Sequence, residues 1–256
     1  ENATECSYDA IFVVGDIIDA TNVLRINNFV SNELLEFMRF LGEVAPTYIC
    51  YGSHDLALMD REDGPVNWYP DEKIFRERFL DKAYGFKGIQ NLDNGTQDIG
   101  DGYTVSVFNP PLIYAMDTPD GDNKYLVEEQ FAFLNDLDED KINTLLCHYP
   151  NAIRYLYRKG KLNNVDLAIA GHNHNGITQF VPLEFFLNFI GMQNRGLITL
   201  GKTLLPKDVR GVDPLSYRTD LLINPAVTSL AECTGGLAKF DKLFYVGATE
   251  VIFEPD

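Results

Sequence analysis

The sequence predicts an α/β fold on three observations: short apolar runs bounded by turn residues, amphipathic helical stretches between them, and reactive side chains just past the runs. Four runs read as buried strands: Ile11-Phe12-Val13-Val14, Tyr48-Ile49-Cys50-Tyr51, Thr144-Leu145-Leu146-Cys147 and Val165-Asp166-Leu167-Ala168-Ile169-Ala170. Each is largely apolar rather than alternating, as strands covered on both faces are.

Between these runs, Ser31 is placed to cap a helix in which Leu34, Phe37, Met38 and Leu41 share one face. A second helix is expected from about Asp71 to Ala83, and a third with Val127, Phe131 and Leu134 turned inward. Thr104 to Phe108 and Leu243 to Phe253 read as further strands. No internal repeat, low-complexity tract or linker-like stretch interrupts the chain, so residues 1–256 are expected to form one domain.

With 256 residues, 45% of them hydrophobic and 23% charged, the chain can bury a full core. A formal net charge of −17 argues against a nucleic-acid partner, because only 21 Lys and Arg stand among 38 Asp and Glu. Bound cations would reverse that sign locally, so a small phosphorylated substrate stays compatible with an acidic chain. The four cysteines, Cys6, Cys50, Cys147 and Cys233, form no Cys-x-x-Cys pair, and Cys50 and Cys147 read as buried strand residues. No run of about 18 apolar residues is present, so no transmembrane segment is expected in this chain.

The functional signal is positional. His54, His148, His172 and His174 are all the histidines of the chain, and each follows closely on a predicted strand. Asp16, in Gly15-Asp16-Ile17-Ile18-Asp19, follows another. Any one of them alone reads most simply as a structural residue, since a strand-end His is usually hydrogen-bonded and an Asp there often caps a turn. Together they suggest a metal site, because ligands of open α/β sheets bind beyond the carboxyl ends of the strands. Imidazole and carboxylate are also the donors that suit borderline divalent metals.

In order and spacing, Gly15-Asp16-Ile17-Ile18-Asp19, Gly52-Ser53-His54-Asp55, His148 and Gly171-His172-Asn173-His174 resemble the calcineurin-like metallophosphoesterases, whose blocks read GDxxD, GNH[DE], H and GHxH. The resemblance runs from about Tyr8 to the end. It implies a two-sheet sandwich flanked by helices, holding two divalent metal ions (manganese, iron or zinc) about 3.5 to 4 Å apart. A metal-bound hydroxide would hydrolyse a phosphate mono- or diester. Carried over residue by residue, Asp16 would bridge the metals, His148 and His172 would bind one with Ser53 beside them, and His174 would bind the other. His54 would give a hydrogen bond or proton to the phosphoryl or leaving-group oxygen, and Asp55 would orient it. Asp19 would shape the turn.

The stretch that follows Gly171-His172-Asn173-His174-Asn175-Gly176, ending in Leu205-Pro206-Lys207, looks closest to the bacterial, often membrane-associated branch, and implies a membrane-associated or extracytoplasmic location, with the cytoplasm as the alternative. Val181 to Met192, rich in Phe and Leu, could line a pocket for a lipid-linked substrate, although ordinary core is the simpler use of such a segment. Two departures stand out. The Asp-x-His block of the first family strand is absent, with only Glu1 to Ala10 ahead of Ile11, so the domain is expected to be N-terminally incomplete and its first strand missing. Ser53 stands where the family has a metal-binding asparagine, and a hydroxyl is the poorer ligand. These departures motivate the alternative of a degenerate, metal-poor member that binds a phosphorylated ligand or partner without turnover.

Overall fold

The computed structural model describes residues 8–17, 29–52, 55, 81–111, 125–172, 211–223 and 251–252. In chain order these give β1 (Ile11–Val14), α1 (Phe29–Val44), β2 (Thr47–Cys50), α2 (Asp81–Tyr84), β3 (Ile89–Gln90), β4 (Gly95–Gly100) and β5 (Tyr103–Val107). A 3-10 helix (Glu128–Asp136), β6 (Ile142–Leu146), α3 (Pro150–Arg158), β7 (Leu167–Ala170), β8 (Gly211–Pro214) and β9 (Asp220–Ile223) follow. Strands β1, β2 and β3 form one parallel sheet. The second sheet runs β4-β5-β6-β7-β9-β8, with β5, β6, β7 and β9 parallel and an antiparallel strand at each edge.

Side-chain alternation along the strands builds the layers. Phe12, Val14, Tyr48 and Cys50 of the first sheet pack against Val105, Val107, Leu146, Ile169 and Leu222 of the second. The opposite face of the first sheet, with Val13 and Ile49, is covered by Leu35 and Met38 of α1. The opposite face of the second, with Leu145, Ala168, Leu221 and Ile223, is covered by Phe131 and Leu134 of the 3-10 helix and by Ile153 and Leu156 of α3. The central strands of both sheets are therefore buried on two faces, and the expected two-sheet sandwich flanked by helices is what the chain forms. Every fully buried leucine in these layers contributes about 2 to 3 kcal/mol by leaving water.

Several local expectations are corrected. Helix α1 starts at Phe29, so Ser31 lies inside it rather than at its cap. Phe37 is 51% exposed. At 100° per residue the buried stripe centres between Leu35 and Met38, and Phe37 falls about 130° away from that centre. The third helix is 3-10 with a break at Phe131 (φ −128°), and Val127 is its exposed N-cap rather than a core residue. A spacing of three places Phe131, Leu134 and Leu137 in one line toward the core, which suits a helix whose i and i+3 side chains eclipse.

Of the helix expected from Asp71, only Asp81–Tyr84 is described. The strand expected from Leu243 lies outside the described residues except at its end, where Val251 and Ile252 are exposed and irregular. Cys50 and Cys147 are buried free thiols, as expected, and burial pushes Cys147 up to about 12. No helix among the described residues is long and apolar enough to cross a membrane.

Candidate metal centre

The site forms where the carboxyl ends of four strands from both sheets meet. Parallel pairing of Val14 with Cys50 brings Gly15-Asp16 beside Tyr51-Gly52 at the end of the first sheet. Pairing of Leu146 with Ile169 does the same for His148 and Gly171-His172 in the second. The Gly171 N–H donates to the His148 carbonyl at 3.1 Å, which locks those two loops together. Across the sandwich, His148 Nδ1 lies 2.7 Å from the Val14 carbonyl oxygen. An N–H there fixes the tautomer and leaves Nε2 for another partner.

This approach is tight enough to dictate the glycines. A Cβ on Gly15 (φ +75°) would stand 2.4 Å from His148 Nδ1, and one on Gly52 would stand 2.1 Å from Asp16 Oδ1. On Gly171 it would lie 2.8 Å from the Val14 carbonyl. Asp16 (φ 52°) and His172 (φ 67°) themselves occupy the left-handed region, which costs a non-glycine residue of order 1 kcal/mol or more. Backbone turns of this kind point both side chains back over the strand ends.

There the donors converge. His148 Nε2 is 3.1 Å from Asp16 Oδ2, and His172 Nδ1 is 3.2 Å from His148 Nε2. The candidate ligand atoms of Asp16, His148 and His172 all lie within 4.8 Å of one another. Ligands about 2.1 Å from a tetrahedrally coordinated ion sit about 3.4 Å apart, so three of these donors fit a divalent metal with little movement. Burial alone would lower the His148 pKa, but the charge and hydrogen bond of Asp16, the Val14 carbonyl and the charge of Asp55 reverse this and raise it. In chemical terms the pocket favours a cation.

Asp55 is buried beneath these loops. Its carboxylate accepts the Gly52 N–H at 2.9 Å and the Ile17 N–H at 3.0 Å, so it ties the loop after β2 to the loop after β1. Burial first, and the Asp16 charge second, push its carboxyl up to about 6, against the pull of the Gly52 N–H, His148 and the Ile17 N–H. Of the residues expected from sequence, Asp16, Asp55, His148 and His172 are thus brought together. Ser53, His54, His174 and Asp19 lie outside the described residues.

A scan of protein families matches the calcineurin-like phosphoesterase model over residues 2–176, which is most of the chain and spans all the residues just described. The chain belongs to the calcineurin-like phosphoesterase family. Among curated proteins and among solved structures, none matches it. Membership implies metal-dependent hydrolysis of phosphoesters in general, and the Asp16, His148 and His172 cluster is where the chain can hold a metal.

Two further residues of this phosphoesterase site went unnoticed in the sequence. Asn109, just past β5, accepts the Tyr51 N–H at 2.8 Å and has its own N–H held by Asn94 Oδ1 at 2.7 Å, so it pins the end of β2 to the second sheet. Its buried Nδ2 has no hydrogen-bond partner among the described residues. Tyr149 packs its ring against both His148 and His172. An Asn after a strand reads as a turn, and only the adjacency of Tyr149 to His148 could have signalled the other.

Proposed function

We propose that this phosphoesterase hydrolyses a small phosphate mono- or diester with two divalent metal ions, drawn from manganese, iron and zinc. The observation that supports it most is the convergence of Asp16, His148 and His172 at 3.1 and 3.2 Å where the two sheets meet. Asp16 would bridge the ions, His148 and His172 would bind one of them with Ser53 beside it, and His174 would bind the other. Ions held there supply Lewis acidity toward phosphoryl oxygens and lower the pKa of bound water.

The protein's own groups do the rest. His54 hydrogen-bonds or protonates the phosphoryl or leaving-group oxygen, and Asp55 fixes the loop that carries it by holding the Gly52 and Ile17 N–H groups. The net charge of −17 favours a small substrate drawn in by the ions over a nucleic acid. Residues 1–256 act as one domain in this reading. The resemblance to the bacterial membrane-associated branch extends it to an extracytoplasmic or membrane-bound setting, and the Phe- and Leu-rich stretch from Val181 to Met192 to a lipid-linked substrate. Ser53 favours a second reading, in which a weakened site binds a phosphorylated ligand without turnover.

The test is release of p-nitrophenol from its phosphate monoester and bis-ester by the chain with Mn²⁺, abolished by chelator and restored by adding metal back. His54→Ala should keep its metal and lose rate by roughly 10²- to 10⁴-fold, the worth of a general acid. Chelator-resistant turnover or a trapped phosphoenzyme contradicts the proposal. Binding of phosphate without turnover, at full metal occupancy and also in Ser53→Asn, selects the second reading.

A further inference from the structure

Tyr149 lies between the two histidines and is 3% exposed. Its ring centroid is 5.0 Å from that of His148, nearly perpendicular at 88°, and 5.0 Å from that of His172 at 55°. The imidazoles themselves are 5.1 Å apart at 77°. Each ring of the trio therefore touches the other two. Such a cluster has few ways to rearrange, because turning one ring drives it into a neighbour.

The backbone explains why the ring stands there. Pro150 occupies the first turn of α3, and a proline excludes the helical region for the residue before it. Tyr149 is accordingly extended (φ −99°, ψ 111°) between His148 and the helix. Helix α3 is fixed in turn by Ala152, Ile153 and Leu156, which are buried against the second sheet. The core thus sets the helix, the helix sets Tyr149, and Tyr149 meets both imidazoles.

We propose that Tyr149 is a positioning residue: its ring fixes the directions of His148 and His172 so that their ring nitrogens already converge with the Asp16 carboxylate before an ion arrives. This inference rests on the metal-holding reading above. Groups that orient metal ligands from behind are worth about 10- to 100-fold in metal affinity. The ring does this through shape.

The experiment titrates the chain with Co²⁺, following the visible absorption of the bound ion and, in parallel, the heat of binding by calorimetry, in wild type, Tyr149→Phe, Tyr149→Leu and Phe131→Leu. Phe131 is a buried aromatic that packs at 5.9 Å on Phe108, so its variant controls for simple loss of core. Tyr149→Leu should bind about 10- to 100-fold more weakly with an altered spectrum, while Tyr149→Phe matches wild type. Phe131→Leu should unfold more easily yet bind Co²⁺ with the wild-type spectrum. Unchanged affinity and spectrum in Tyr149→Leu overturn the inference, as does an equal loss in Phe131→Leu or in Tyr149→Phe. Wild type that takes up no Co²⁺ overturns the metal reading itself, and the inference with it.

Discussion

At the amino ends of β6, β7 and β9, Asp166 accepts Arg218 Nε at 2.9 Å and the Asn143 N–H at 2.8 Å, while Thr219 Oγ1 donates to the carbonyls of Val165 at 2.8 Å and Leu162 at 3.1 Å. At the opposite end of the same sandwich, Asp16, His148 and His172 bring a carboxylate and two imidazoles to within 4.8 Å of one another. The first region matches donors with acceptors from within the chain. The second gathers a carboxylate and two imidazoles, all metal-ligating groups, on left-handed backbone and against three glycines that leave no room for a Cβ. A polar cluster that completes itself stabilises a fold, whereas one that converges on a cation is built at some cost to it. Burial and hydrogen-bonding occur at both ends, so neither distinguishes a site from a clamp; the convergence of metal-ligating side chains does.

Substitutions can break or sharpen that contrast. The largest effect is expected from Gly52→Ala, whose Cβ would need the space now held by Asp16 Oδ1 at 2.1 Å. Metal affinity measured by calorimetry should fall by about 10- to 100-fold, with overpacking costing about 1 to 3 kcal/mol in urea unfolding. Asp166→Ala should do the reverse. It orphans the Asn143 N–H and releases Arg218, lowering stability by about 2 kcal/mol after allowance for partial exposure of the pair, with metal affinity unchanged.

Thr219→Val removes a buried hydroxyl of similar shape and should cost about 1 kcal/mol in the same unfolding assay, again without touching metal binding. Smallest of all, Lys141→Ala breaks an ion pair with Asp98 that lies at the surface, and the thermal midpoint should not move measurably. A loss of metal binding in either Asp166→Ala or Thr219→Val would dissolve the distinction between the two ends.

How much of this was legible in the sequence follows from what is local and what is not. Ile11–Val14 was placed to the residue, and the other buried strands to within a few, because continuous apolar runs flanked by turns are a local signal. Asp16, His148 and His172 were legible for the same reason, since the end of a strand is visible from its own residues. Strand β4 was missed because Thr96, Gln97 and Asp98 carry no apolar run. Its Asp101-Gly102 turn, with φ of 49° and 82°, was the available signal for a hairpin with β5. The hairpin of β8 and β9 was missed too, because Gly211-Val212-Asp213-Pro214 holds a single aliphatic residue and so makes no apolar run.

Phe37 and Val127 were misplaced because periodicity gives a face but not its width, which tertiary packing decides. Tyr149 and Asn109 act across 23 and 58 positions of sequence, on His172 and Tyr51, and contacts of that range leave no trace in a local pattern.

The measurement closest to the central claim is calorimetric titration of the chain with Mn²⁺, wild type against Asp16→Asn. An amide nearly matches the carboxylate in shape but removes the charge that helps raise His148 and that would hold the ion. The account predicts saturable binding by wild type, binding lost in Asp16→Asn, and an unfolding midpoint in chelator no lower than that of wild type. Equal Mn²⁺ affinity in the two proteins would contradict it.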